Sequence, residues 1–228
     1  MLTDFIALIF PNTCAACGKS LHKNEQSICT YCAYHLPKTN FHLDSNNPVA
    51  KIFWGRIPIY SAASYYGFNK GGKVQHLIHQ LKYKGQKHVG ITVGKLYGHE
   101  LSYCDDFNTV NTVIPVPLHP KKQKKRGYNQ SDCFAEGLAQ SMNAEADLKV
   151  LYRAVESDSQ TKKSRFSRWQ NVESVFQLQN TETLAGKHVL LVDDVITTGA
   201  TLEACAQTLL QVPDIKVSIV AIAYAGNH

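Results

Sequence analysis

The apolar positions along the chain follow two periods, and each period predicts a different kind of element. Short continuous apolar runs bounded by turn residues are typical of buried strands. Such runs occupy RIPIYSAASYYGF (56–68), VNTVIPVP (110–117), ADLKVLY (146–152), HVLLVDDV (188–195) and IKVSIVAIAYA (215–225). Between them, spacings of three and four residues place apolar side chains on one face of a helix. These spacings involve Val74, Leu77, Ile78 and Leu81, then Val93, Leu96, Tyr97 and Leu101, then Phe134, Leu138 and Met142, and finally TLEACAQTLL (201–210).

Strands that alternate with helices predict an α/β fold. The strand segments are continuously apolar, so we expect both of their faces to be buried in a parallel sheet flanked by helices. A chain of 228 residues has room for one medium domain and a small appendage. We expect Trp54 to lie in the core of that domain, because large aromatic side chains bury extensive apolar surface.

Four cysteines near the start form two C-x-x-C pairs. Cys14 and Cys17 are followed, after 11 intervening residues, by Cys29 and Cys32. Two such pairs supply four thiolates to one tetrahedral ion, the set that Zn²⁺ prefers in structural sites. An iron–sulfur cluster uses the same ligands and stays open as the alternative. Because four thiolates leave no open coordination position, the site is predicted to be structural or to bind a partner.

The cysteine cluster divides the chain into unequal parts. Residues 1–36 are predicted to form a small zinc-ribbon-like module stabilised by its metal, because so short a segment buries little apolar surface. The polar stretch 37–50 is predicted to be a linker, and residues 51–228 to be the α/β domain.

The positive charge of the chain is concentrated in one place. The net charge is +6, and five basic residues fall between positions 121 and 126. Without them, basic and acidic residues nearly balance, at 19 against 18. Such a cluster favours an anionic partner, phosphate or nucleic acid, and a merely solvated loop is the third interpretation. The candidate nucleic-acid ligands are Lys121, Lys122, Lys124 and Lys125.

The longest apolar runs are too short to insert into a membrane. FIALIF (5–10), VLLV (189–192) and IVAIAYA (219–225) fall well below the roughly 20 residues that span a bilayer. No basic region precedes the first run and no small-residue cleavage site follows it, so we expect no secretory signal. The sequence therefore predicts a folded cytoplasmic protein.

The segment VLLVDDVITTGAT (189–201) carries the predicted chemistry. Its apolar residues deliver Asp193 and Asp194 to the carboxyl edge of the sheet, where open α/β sheets bind ligands. Residues 197–201 are expected to lead into a helix that begins near Leu202. Backbone N–H groups, threonine hydroxyls and the helix N-terminus favour an anion, and Gly199 would let a phosphate approach the backbone. Two carboxylates beside a phosphate site suit a sugar phosphate.

This segment resembles the phosphoribosyl pyrophosphate (PRPP) loop of type I phosphoribosyltransferases. HQLKYKG (79–85), PVPLHPKKQKKRGYNQ (115–130) and LYRAVESDSQTKKSRFSRWQNVESVF (151–176) resemble the ComF family of competence-associated proteins, which includes GntX-type members. That family carries a four-cysteine zinc module ahead of its phosphoribosyltransferase domain. The resemblance covers nearly the whole chain, and it implies a type I phosphoribosyltransferase fold and a role in DNA uptake.

The resemblance also implies a ligand, Mg²⁺ with PRPP, and a role for each matching residue. Asp193 and Asp194 would contact the ribose hydroxyls, directly or through Mg²⁺. The 5-phosphate would be held by Thr197, Thr198, Gly199, Ala200 and Thr201. The pyrophosphate side is matched by Pro117, Leu118, Arg126, Gly127, Asn129 and Gln130. The loop that closes over the site is matched by Gln160, Thr161, Arg165, Arg168 and Asn171, and Arg168 joins the two aspartates as a catalytic candidate.

Two functions stay open at this point. The first is an enzyme that transfers a phosphoribosyl group to an acceptor that no segment identifies. The second is a non-catalytic PRPP-fold module that binds single-stranded DNA and competence proteins through the zinc module and the basic run. The polar residues His76, His79, Lys82, Tyr83 and Lys84 are interpreted equally well as an exposed helical face and as ligand contacts.

Overall fold

The structure, a computed structural model, describes residues 12–154 and 175–226. The helices in these ranges are α1 (Thr30–His35), α2 (Pro48–Phe53), α3 (Lys73–Tyr83), α4 (Lys87–Leu101), α5 (Pro120–Arg126), α6 (Gln130–Met142) and α7 (Ala200–Leu209). The strands are β1 (Ser61–Gly67), β2 (Thr112–Pro115), β3 (Glu145–Ala146), β4 (Leu151–Arg153), β5 (Phe176–Leu178), β6 (His188–Ile196) and β7 (Lys216–Tyr224).

Five of the strands form one sheet, in the order β1-β7-β6-β2-β3. Every neighbouring pair in this sheet is parallel. Strands β4 and β5 form a separate antiparallel pair. The central strand β6 lies between β2 and β7, so the carboxyl ends of all three meet at the same edge of the sheet. The predicted parallel sheet is confirmed.

Helices cover both faces of the sheet. Leu190 and Val192 of β6 pack into a core with residues of α3, α4 and α6. Val189 and Leu191 point to the opposite face and pack into a second core with residues of α2 and α7. Because successive side chains of a strand alternate between faces, β6 serves both cores. This arrangement confirms the expectation of a strand buried on both sides.

Helices α4 and α6 approach each other through glycines. A Cβ atom at Gly94 would lie 2.5 Å from the carbonyl oxygen of Phe134 and 2.8 Å from the Cα atom of Gly137. Those distances are shorter than atoms in a packed interior tolerate, so any side chain at Gly94 would push the two helices apart. The contact fixes the position of α6, whose N-terminus lies at the carboxyl edge of the sheet.

The predicted strand ADLKVLY is interrupted in the structure. Only Glu145–Ala146 and Leu151–Arg153 form strands, and they belong to different sheets. The carboxylate of Asp147 accepts hydrogen bonds from the backbone N–H groups of Lys149 and Val150, both at 2.9 Å. This local turn, typical of Asp, competes with strand pairing and divides the segment.

One interpretation of the basic run was a solvated loop, and in the structure the run forms the helix α5. His119 begins the helix, with its Nδ1 accepting from the N–H of Lys121 at 3.2 Å, and Pro120 stands at the first position, where its missing N–H costs nothing. Gly127, at φ 80°, ends it. The basic side chains of the last turn lie beside the negative end of the helix dipole, which offsets part of their mutual repulsion.

Residues 37–50, predicted as a linker, pack against β1. The backbone N–H of Thr39 donates to the carbonyl of Tyr65 at 3.0 Å. Asn47 is 2% exposed, donates to the carbonyl of Ala62 at 2.7 Å and caps α2. The segment therefore covers part of the free edge of the sheet. The boundaries at residues 36 and 50 stay a prediction.

Trp54 is 56% exposed, so the prediction that it lies in the core is wrong. The buried residues of α2 are Val49, Ala50 and Phe53, and Trp54 follows the last of them at the end of the helix. Its ring lies 5.8 Å from the ammonium of Lys51 instead.

In the two described ranges, no helix combines the length with the apolar character that a membrane span requires.

His188 gives the fold a testable pH dependence. It is 4% exposed, with Nδ1 2.7 Å from the hydroxyl of Thr109 and Nε2 2.9 Å from that of Ser218. Burial, together with the charge of Lys216, lowers the pKa of His188 to about 4. The unfolded chain therefore binds a proton more readily than the folded one, so stability is complete above the unfolded pKa and declines as the pH falls toward 4.

We predict that replacing His188 with Gln flattens this decline. Between pH 7 and pH 4.5 the parent protein should lose up to about 3 kcal/mol of unfolding free energy more than the variant, since each pKa unit corresponds to about 1.4 kcal/mol. Urea unfolding at the two pH values measures the difference. Equal losses in both proteins would contradict the assignment.

Candidate functional site

The two adjacent aspartates lie near the carboxyl end of β6. Pro115, the last residue of β2, pairs with Val192, so β2 ends before Asp193 is reached. On the other side Asp193 is in register with Ala221 of β7. The aspartates therefore lie at the carboxyl edge of the sheet, where open α/β folds bind ligands.

Asp193 is held by two hydrogen bonds. Its Oδ1 accepts from the hydroxyl of Ser131 at 3.0 Å and from the backbone N–H of Asp194 at 2.8 Å. Burial and, after it, the charge of Asp194 raise the pKa of Asp193 to about 7. Ser131 was not singled out from the sequence. Its position in the first turn of α6 could have identified it, because a helix that follows a parallel strand begins at the carboxyl edge of the sheet, where the ligand site lies.

Asp194 is paired with a cation from a distant part of the chain. The ammonium of Lys82, in the last turn of α3, lies 2.8 Å from Oδ1 of Asp194. The two side chains are 21% and 13% exposed. Of the five polar residues around α3 that the sequence left between two interpretations, Lys82 is thus brought to the aspartate pair.

The loop after β6 forms a small concave surface. A cavity of about 40 Å³ is lined by Asp193 and by residues 195–202. Helix α7 begins at Ala200, two residues before the predicted start near Leu202, and the N–H of Ala200 faces the hydroxyl of Thr198 at 3.5 Å. Thr197, Thr198, Ala200 and Thr201 are exposed.

Gly199 has a second reason to be glycine besides the predicted close approach of a phosphate. Its φ is 76°, a conformation that other residues rarely adopt. A Cβ atom there would also lie 2.6 Å from Cγ2 of Ile52, in α2. The loop is therefore packed directly against α2.

The residues predicted for the pyrophosphate side have different surroundings. Pro117, Leu118 and Asn129 line an open cavity of about 300 Å³. Asn129 and Gln130 are 5% and 1% exposed and make hydrogen bonds within the protein. Asn129 caps α6 through Ser131 N–H and donates to the carbonyl of Val116 at 3.0 Å. In this structure they position α6, and with it Ser131.

Arg126 and Gly127 lie at the end of α5. The guanidinium of Arg126 donates to Oε1 of Gln130 and lies 5.4 Å from the centre of the Tyr83 ring. Gly127 supplies the left-handed turn that ends α5. The candidates Gln160, Thr161, Arg165, Arg168 and Asn171 lie outside the described residues.

The four candidate nucleic-acid lysines share one short helix. No residue of α5 is buried, and Lys121, Lys122, Lys124 and Lys125 are all exposed. Between Phe107 and Ser131 the chain contains no acidic residue. Beside α5, Tyr83 is 62% exposed and its ring faces Arg126. This surface therefore combines a local excess of positive charge with an accessible aromatic ring.

The four predicted metal ligands come together at the N-terminal module. The sulfurs of Cys14, Cys17, Cys29 and Cys32 all lie within 4.8 Å of one another. The Cys17 and Cys29 sulfurs are 3.8 Å apart. A tetrahedral ion with Zn–S bonds of about 2.3 Å requires sulfurs separated by about 3.8 Å. The cluster therefore fits a zinc ion.

The four sulfurs differ in how readily they lose a proton. Burial raises the pKa of the Cys29 and Cys32 thiols, and neighbouring cysteines of the cluster add to both increases. Burial acts in the same direction on Cys14, but backbone N–H hydrogen bonds, first from Cys29, lower its pKa to about 7. Thiolates this close repel one another, and a bound divalent cation removes that repulsion while protons are released. Cys29 begins α1, and its N–H donates to the sulfur of Cys14 at 3.3 Å.

Comparison with known proteins adds three findings. A family model described as a phosphoribosyl transferase domain matches residues 132–228, which include α6, β6 and the loop into α7. The DNA utilization protein YhgH of Escherichia coli (strain K12) is 27% identical over 202 residues, covering 87% of this chain and 84% of that protein. Competence protein F of Haemophilus influenzae is 30% identical over 147 residues, covering 62% of this chain and 64% of that protein.

Solved structures are also similar at lower identity, and one of them serves as an example. The glutamine PRPP amidotransferase from B. subtilis is 19% identical with a TM-score of 0.42, and the match covers 62% of this chain but only 30% of that longer chain. The family model, together with the parallel sheet flanked by helices, confirms the predicted fold class.

The cysteine cluster leads to a direct prediction. We expect the purified protein to contain about one zinc per chain, since the four sulfurs match one tetrahedral site. Replacing Cys14 and Cys17 together with Ser should abolish zinc binding and unfold the module, as measured by metal analysis and circular dichroism. Replacing Cys104 with Ser is the matched control, because Cys104 donates instead to the carbonyl of His42. Zinc far below one equivalent in the parent, or retained by the double variant, would contradict the assignment.

Proposed function

Because the chain belongs to the ComF family and carries a phosphoribosyltransferase-type domain, we propose that it binds the magnesium complex of PRPP and transfers or recognises the phosphoribosyl group. One observation carries the proposal. Asp193, the first of two adjacent aspartates near the carboxyl end of β6, lines the concave surface of the loop that leads into α7, and Asp194 follows it in the chain. This order, carboxylates and then an anion-binding loop, matches a sugar that carries hydroxyls beside its phosphate.

The 5-phosphate and the ribose of the proposed ligand each have partners in the site. The exposed hydroxyls of Thr197, Thr198 and Thr201 and the N–H groups at the start of α7 would bind the 5-phosphate, helped by the positive end of the helix dipole. Asp193 and Asp194 would accept hydrogen bonds from the vicinal ribose hydroxyls. Ser131 would keep Asp193 in place by its hydrogen bond of 3.0 Å.

The aspartate pair is also a suitable donor set for Mg²⁺, which binds in proteins through one or two carboxylates together with substrate phosphates. When bound, the ion would supply positive charge that stabilises the leaving pyrophosphate. The chain's own contribution is to orient the ribose and to hold the two carboxylates beside the phosphate loop.

We further propose a role in the handling of imported DNA. It rests on relatives whose names refer to DNA utilization and to competence. The acceptor of the phosphoribosyl group stays unassigned.

The first test of this proposal is binding of Mg-PRPP measured by calorimetry. Replacing both Asp193 and Asp194 with Asn should weaken binding by about 100-fold, because two charge-assisted hydrogen bonds contribute roughly 1.4 kcal/mol each or more. The control replaces the exposed Asp105 and Asp214 with Asn, which changes the net charge equally. If the Asp193 and Asp194 variant binds Mg-PRPP as tightly as the parent, the proposal fails.

A second candidate function, binding of single-stranded DNA, is favoured by the surface around α5. Five basic residues on one exposed helix would contact phosphates without sequence preference. Tyr83, beside Arg126, would offer a ring on which a base can stack.

We predict that changing Lys121, Lys122, Lys124 and Lys125 to Ala weakens binding of a single-stranded oligonucleotide. The slope of log K against log salt should become shallower by up to about 3, since each phosphate contact on a single strand contributes about 0.7. Fluorescence anisotropy at several salt concentrations measures both quantities. The charge-matched control changes the exposed Lys51, Lys70, Lys73 and Lys95 to Ala. An unchanged slope in the α5 variant would remove the support for this function.

A further inference from the structure

The ion pair between Lys82 and Asp194 joins two parts of the chain that are 112 residues apart. Lys82 belongs to α3, on one face of the sheet, and Asp194 to the carboxyl end of β6. Their N–O distance of 2.8 Å is that of a direct charge-assisted hydrogen bond. With the side chains only 21% and 13% exposed, the contact is far less screened than a surface ion pair.

The backbone that carries Lys82 is fixed. The preceding residue, Leu81, is fully buried in the core. The hydroxyl of Tyr128, itself 8% exposed, donates to the carbonyl oxygen of Leu81. The following residue, Tyr83, is in contact with the guanidinium of Arg126. The position of the ammonium can therefore change only through the flexible stem of Lys82, and not through movement of the end of α3.

Among the described residues, Lys82 is the one cation paired with either carboxylate. Within residues 12–154 and 175–226, no other Lys, Arg or His nitrogen lies within 4.0 Å of either aspartate. Asp193 receives its two hydrogen bonds from neutral groups, Ser131 and the backbone of Asp194. In the part of the chain that the structure describes, the positive charge at the two carboxylates therefore comes from Lys82.

A divalent cation at Oδ1 of Asp194 would need the position that Lys82 holds, and one at Oδ2 of the same carboxylate would lie close to the same ammonium. Mg²⁺ and Mn²⁺ bind carboxylate oxygens at close to 2 Å, and the ammonium nitrogen already lies 2.8 Å from Oδ1 of Asp194. Two cations on one oxygen at these distances repel each other strongly in a partly buried site. Oδ1 of Asp194 therefore cannot bind the ammonium and a divalent cation at the same time without weakening one of the two contacts.

We propose that Lys82 is a built-in counter-ion of the aspartate pair, and that a divalent cation binds there only by displacing its ammonium. Lys82 is then a positioning residue that sets the concentration of divalent cation needed to fill the site. In the ligand-free protein it neutralises Asp194. When a metal-bound anion enters, the ammonium leaves Asp194 and becomes available to the negative charge of that anion. The metal-bound ligand rests on the proposed function, whereas the competition between Lys82 and a divalent cation does not.

The experiment uses Mn²⁺ alone as the probe, with the zinc-loaded, full-length protein and no PRPP. Binding is followed by the electron paramagnetic resonance signal of free Mn²⁺. Replacing Lys82 with Met keeps the stem and removes the charge, and we expect it to tighten Mn²⁺ binding by about tenfold. Lys84→Met is the matched control, because Lys84 is an exposed lysine two residues further along and no ion pair links it to either aspartate. We expect this control to bind Mn²⁺ like the parent.

Two further variants keep the test decisive. The double variant Lys82→Met with Asp194→Asn should lose the gain, which places the bound ion at the aspartate pair. Lys82→Gln, which retains a polar end, should show the same direction as Lys82→Met, and thermal unfolding with and without Mn²⁺ checks that each variant is folded. Equal or weaker Mn²⁺ binding by folded Lys82→Met and Lys82→Gln would overturn the proposal.

The test of the counter-ion role and the test of the proposed function can fail independently of each other. If the parent fails to bind Mg-PRPP while Lys82→Met gains Mn²⁺ affinity, the proposed function falls and the counter-ion role stands. If Mg-PRPP binding depends on the aspartates while the Lys82 variants gain no Mn²⁺ affinity, the counter-ion role falls and the proposed function stands.

Discussion

Two neighbouring carboxylates at the end of a buried strand repel each other and lose hydration, and the site is built from the groups that offset this cost. Asp193 receives a hydroxyl and a backbone N–H, and Asp194 receives the ammonium of Lys82. Neither aspartate can point freely into solvent under these contacts. The result is a pair of carboxylates held in fixed positions before any ligand arrives, which lowers the entropy that binding must overcome.

The partners of the aspartates come from separate elements, so the site depends on how those elements pack. Ser131 reaches Asp193 because α6 lies tightly against α4 at Gly94 and because Asn129 caps the helix at its start. Lys82 reaches Asp194 because Tyr128 holds the carbonyl of Leu81 at the end of α3. On the opposite side, Gly199 packs against Ile52 of α2 and fixes the loop into α7. Both cores of the domain therefore contribute to one edge of the sheet.

Local patterns in the sequence were sufficient to predict most of the helices and strands and the cysteine cluster. The apolar run before Asp193 predicted β6, the spacing of Val74, Leu77, Ile78 and Leu81 predicted α3, and the two C-x-x-C pairs predicted sulfurs that meet. The contacts of Ser131 with Asp193 and of Lys82 with Asp194 join residues 62 and 112 positions apart, and no local periodicity encodes such pairs. The differences between prediction and structure also have local causes, because individual turn and cap residues changed the element that the surrounding pattern favoured. Asp147 divides an apolar segment by its own turn, and Pro120 with Gly127 turns a basic run into a helix.

The central claim is that the aspartate pair and the loop into α7 form one sugar-phosphate site. A crystal structure of the protein grown with Mg²⁺ and PRPP tests it most directly. The account predicts density for the 5-phosphate at the N–H groups that begin α7, and for the ribose hydroxyls at Asp193 and Asp194. Density for PRPP elsewhere, with the loop filled by side chains of the protein itself, would contradict it.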